Sequence, residues 1–74
     1  MRYIDTKRIV SCCVDTFLEG RYTVSECIRQ IDKTIQCETN CIPNHDIRIR
    51  QQYKLYSYGL DKLHKAILKM DRMN

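Results

Sequence analysis

The chain has 74 residues, of which 43% are hydrophobic and 30% charged, with two glycines and one proline. That length allows one domain, expected to span residues 1–74, and the composition is globular rather than disordered. The net charge is +4, with no apolar run near the roughly 18 residues of a membrane span. The opening MRYIDTKR lacks the apolar segment of a signal peptide, so the expected setting is cytoplasmic, with no membrane partner.

A core this small supplies about 3–5 kcal/mol, which is why small domains lean on disulfides, a metal or self-association. Five cysteines cannot all pair within one chain, and a cytoplasmic setting keeps thiols reduced.

From Thr6 to Leu18 the apolar residues Val10, Cys13, Val14 and Phe17 recur at helical spacing, and Ile9 and Leu18 widen the stripe. Asp5 is the expected N-cap, and Gly20 follows the last periodic residue, where a left-handed cap is favoured.

In YTVSEC, Thr23 followed by Glu26 forms a capping box that starts a second helix, with Tyr22 and Cys27 at the staple positions. Val24, Cys27, Ile28, Ile31 and Ile35 then give one apolar face to about Gln36. The short connection between these two helices implies an antiparallel hairpin.

The segment CETNCIPNH, residues 37–45, joins the hairpin to a third helix that Pro43 keeps from starting earlier and that Asn44 can cap. In that helix Ile49, Tyr53, Tyr56, Leu60, Leu63, Ile67 and Met70 alternate spacings of four and three, a heptad-like seam. Residues 45–71 as one helix would span about 40 Å, against about 20 Å for each shorter helix. The C-terminal half of the seam, Leu60, Leu63, Ile67 and Met70, is therefore expected to pack on a second copy or another protein. Gly59 costs a helix interior about 1 kcal/mol and marks a kink or a close backbone contact. A break there would divide the long helix in two.

The expected fold is thus all-α: a small three-helix domain, a short hairpin plus one long C-terminal helix, expected to be oligomeric. Charge is uneven along it. Residues 1–47 hold six Lys/Arg and seven Asp/Glu, whereas residues 48–74 hold seven Lys/Arg and only Asp61 and Asp71. Arg50, Lys54, Lys62, Lys65, Lys69 and Arg72 fall on one flank of the third helix with Tyr58 among them. With Tyr53 and Tyr56, this flank is the candidate binding surface: cations attract an anion and aromatics supply contact area. The partner expected is an acidic protein face, or an anionic nucleotide or nucleic acid.

Two other chemistries have partial signals. Cys37, Cys41 and His45 have the residue types of a zinc site, but at a C-x3-C-x3-H spacing and without a second pair, so a fourth ligand would have to come from Cys12, Cys13, Cys27 or His64. For catalysis there is neither a phosphate-cradling glycine loop nor an identifiable triad, and no enzyme, cofactor or catalytic residue is expected. The class expectation is a small inhibitor, adaptor or regulator of the kind that viruses and phages often encode.

The stretch GRYTVSECIRQIDKTI resembles the turn and second helix of ribbon-helix-helix repressors. The resemblance implies a DNA-binding dimer whose preceding strand reads the major groove. Arg2 and Ile4 would be the strand residues, although only MRYI precedes Asp5 and the long third helix departs from that family.

Overall fold

A computed structural model of the chain describes residues 3–73. They form three helices: α1 Tyr3–Leu18, α2 Val24–Thr39 and α3 His45–Met73. The axes run up, down and up, and all three pairs of helices pack against one another. The body measures 45 × 19 × 17 Å. No helix among the described residues is long and apolar enough to cross a membrane.

Local chemistry sets the boundaries at Gly20, Thr23 and Asn44. The first helix is already formed at Tyr3, the first described residue, earlier than an Asp5 cap would place it, and ends where Gly20 adopts φ 81°. There the Gly20 N–H donates to Phe17 O at 3.0 Å and the Arg21 N–H to Thr16 O at 3.1 Å, the paired bonds of a left-handed glycine cap. At the start of α2, Thr23 is extended and its Oγ1 accepts from the Glu26 N–H at 3.1 Å. The start of α3 is fixed in the same way, by the Ile47 N–H donating to Asn44 Oδ1 at 3.1 Å. α3 then runs unbroken through Gly59.

The core joins Val10, Cys13, Val14 and Phe17 of α1, Cys27, Ile31 and Ile35 of α2, and Leu55, Leu63 and Ala66 of α3. Thr6 and Thr39 are also fully buried. Thr39 is satisfied by donating to Ile35 O at 2.6 Å and accepting from Gln52 Nε2 at 3.0 Å. Gly59 lies at the meeting point of the three helices. A Cβ built there would stand 2.9 Å from Val10 Cγ1 and 3.1 Å from Ile31 Cγ2, so the glycine marks close approach and not a kink.

This packing revises the heptad seam. The line that α3 turns inward is Leu55, Gly59, Leu63 and Ala66, whereas Ile49, Tyr53 and Leu60 stay 48%, 74% and 48% exposed. The periodicity of the largest side chains misses the true line because Gly59 and Ala66, the residues that admit the neighbours, carry almost no hydrophobic signal. The expected overhang is revised as well. Leu63 is buried and Ile67 packs against the core, so neither hangs free for a partner; only Leu60 and Met70 of that set remain exposed. Helices α1 and α2 each reach 16 residues, and packing extends along α3 from Gln52, bonded to Thr39, to Lys69, beside Leu18.

Candidate functional site

The contacts of α3 separate its candidate binding residues into two rows. Towards α1 lie Tyr58, Lys62, Lys65 and Lys69, which together with Val14, Leu18 and Ala66 line a groove of about 400 Å³. Towards α2 lies Tyr56, and Tyr53 shares that side of the helix by its spacing. Arg50 and Lys54 are exposed on the outward face between the two rows.

The α1 side is built from both helices. Lys7 Nζ sits 4.5 Å from the centroid of the Tyr58 ring and 5.5 Å from that of Tyr3, and Lys62 Nζ lies 5.6 Å from the Tyr58 ring. Two cations thus lie within reach of the Tyr58 π system, which attracts both. Lys62 also donates to Ser11 Oγ at 3.2 Å, which fixes its head near α1. Lys65 pairs with Asp61 one turn earlier at 3.0 Å. Lys69 forms no ion pair among the described residues, and it borders a second hollow with Lys65, Leu68 and Arg72. Asp15 completes the opposite rim of the main groove.

The floor of this groove is apolar while its α3 rim is mostly cationic, and Leu18 and Leu68 stay 37% and 44% exposed beside it. Such a surface can take a partner that brings both carboxylates and apolar side chains. The carboxylates of Asp15 and Asp61 on its margins disfavour a dense, freely diffusing anion such as a triphosphate. They leave room for an extended surface whose own charges are spaced.

Tyr56 has a structural role. Its hydroxyl donates to Asp32 Oδ1 and accepts from Gln36 Nε2 at 2.9 Å, joining α3 to α2. Burial first, then the bond to Asp32, pushes its pKa above the usual tyrosine value.

Sequence reading missed the α1 contribution: Asp15 and the exposed flank of Leu18 on the groove itself, and Lys7 and Ser11, which hold Tyr58 and Lys62 beside it. Their signal was the i, i+4, i+8, i+11 spacing along the first helix, legible only once the neighbouring helix is known.

The sulfur-rich junction does not assemble a metal centre. Cys37, Cys41 and His45 are all exposed, Cys41 Sγ donates to Glu38 O at 3.5 Å, and His45 Nδ1 lies 3.9 Å from Asp46 Oδ1. Among the described residues, no three His, Cys, Asp or Glu side chains gather so as to hold an ion. The α1 cysteines cannot complete the set. Tyr3 is the α1 residue beside this junction, and Cys12 lies about 14 Å further along the helix at 1.5 Å per residue. Cys13 and Cys27 are buried at the hairpin interface, where Cys27 Sγ donates to Cys13 O at 3.5 Å, and burial raises both thiol pKa values.

The strand implied by the ribbon-helix-helix resemblance is contradicted at Ile4, which is already helical in α1; Arg2 lies outside the described residues. No protein-family model, curated protein or solved structure matches the chain.

Proposed function

We propose that this is a small non-enzymatic binding protein, an inhibitor, adaptor or regulator, that engages an acidic protein surface through the groove between α1 and α3. The observation that carries this reading is the convergence of Tyr58, Lys62, Lys65 and Lys69 on one apolar-floored groove. Of the wider candidate set, Arg72 extends its cationic margin through the adjoining hollow, Arg50 and Lys54 stand on the outward face, and Tyr53 and Tyr56 fall outside it.

The energetics favour this division of labour. Exposed cations steer an acidic partner and fix its register, while Leu18, Leu68 and the Tyr58 edge supply the apolar contact from which most affinity comes. A protein partner supplies both kinds of group at once.

The test is affinity capture with the intact chain and with Lys65→Glu/Lys69→Glu from lysate of the source cells, with and without nuclease treatment. Acidic proteins retained by the native chain and lost by the variant are expected. Retention that disappears on nuclease treatment would move the function to nucleic acid, and equal retention by both chains would move the site away from the groove.

A further inference from the structure

The other flank of α3 carries a second surface, independent of the groove. Ile49, Tyr53 and Leu60 project from the side of α3 that borders α2, exposed by 48%, 74% and 48%. Helix α2 adds to it. Because Tyr56 meets Asp32 and the helices are antiparallel, Ile28, one turn before Asp32, falls by register beside Leu60, and it is 43% exposed. An apolar row over three turns of α3, widened by Ile28, is more than the scattered exposure normal for a monomer surface.

We infer that this face is covered by a second copy of the chain, with the two α3 helices antiparallel and crossing near Leu60. Charge selects both the occupant and its direction. Arg50 lies near the N-terminal end of the row and Asp71 three turns beyond Leu60, three heptads apart and within about 60° of one another around the helix. Neither forms an ion pair among the described residues. A parallel pairing would set Arg50 against Arg50 and Asp71 against Asp71. An antiparallel pairing centred on Leu60 sets Arg50 of each chain beside Asp71 of the other, twice by symmetry.

The same register places Leu60 against its twin, with the Tyr53 of each chain on either side of that contact. Leu60 meeting Leu60 while Arg50 meets Asp71 uses the same patch on both chains, the requirement of a two-fold interface. It also leaves the α1–α3 groove uncovered, so a dimer would present two grooves facing away from the contact.

Sedimentation equilibrium of the full chain at about 100 µM should give twice the 8.9 kDa chain mass. Leu60→Glu should give the single-chain mass with an unchanged helical spectrum. Tyr53→Glu, at a far more exposed position, provides the same test should Leu60→Glu fail to fold. Arg50→Asp should weaken the dimer about tenfold, and Arg50→Asp/Asp71→Arg should restore it. A native chain that stays at 8.9 kDa overturns the dimer, and a double swap that fails to restore it overturns the antiparallel register.

Discussion

Gly59 of α3 lies so close to Val10 of α1 that a methyl group at the glycine would stand 2.9 Å from Val10 Cγ1. Replacing Gly59 by alanine should gain up to about 1 kcal/mol of helix propensity. It would also force a stiff β-branched side chain and Ile31, 3.1 Å away, to move inside a packed core. The clash should prevail, leaving Gly59→Ala about 1–2 kcal/mol less stable than the native chain, as read by urea unfolding. An unchanged or raised midpoint would show that the three helices are not this tightly joined.

Tyr56 ties α3 to α2 through Asp32 and Gln36, and Tyr56→Phe should cost about 1 kcal/mol by removing those bonds while retaining the ring. The pH dependence follows from its raised pKa. The neutral hydroxyl is the form favoured by folding, so its contribution is complete below the unfolded value near 10 and is lost as pH rises through the higher folded value. The native chain should therefore lose more stability than Tyr56→Phe between pH 9 and 11, measured by denaturant midpoints.

The five thiols should divide by burial. Cys12, Cys37 and Cys41 are exposed, whereas Cys13 and Cys27 are buried with pKa values raised by desolvation. Alkylation of the native chain near neutral pH, followed by mass spectrometry, should label the first three rapidly and the other two only on unfolding. Fast labelling of Cys13 would contradict the packing of α1 on α2.

Truncation in the core should be severe. Ile31 and Leu55 are fully buried, and cutting either to alanine typically costs 2–5 kcal/mol, comparable with the roughly 3–5 kcal/mol a domain of this size has. Each variant should lose most of its helical circular dichroism at 25 °C. Retention of a cooperative, native-like transition would mean that something besides this core stabilises the chain.

The three helices were legible in the sequence, as were the ends set by Thr23, Asn44, Pro43 and Gly20, which act locally through backbone donors and allowed dihedrals. The start of α1 before Asp5 and the end of α2 at Thr39, beyond Gln36, were not. The inward face of α1 was legible, since Val10, Cys13, Val14 and Phe17 are all large enough to register. The inward line of α3 was not, since it is set by where a backbone can approach, and Gly59 and Ala66 contribute through absence of side chain. The candidate site was half legible for a related reason. Lys62, Lys65 and Lys69 declare themselves by spacing on one helix, but the groove exists only between helices, and Tyr56 and Tyr58, two residues apart, end on opposite flanks.

The central claim, that an acidic protein docks in the α1–α3 groove, is tested most directly by photocrosslinking in the source cells. A crosslinking amino acid at position 69 on the groove rim would be compared with one at position 33 on the exposed side of α2. The groove reading predicts a discrete, acidic protein adduct from position 69 and none from position 33. An adduct from position 33 alone, or no protein adduct from position 69, would contradict it.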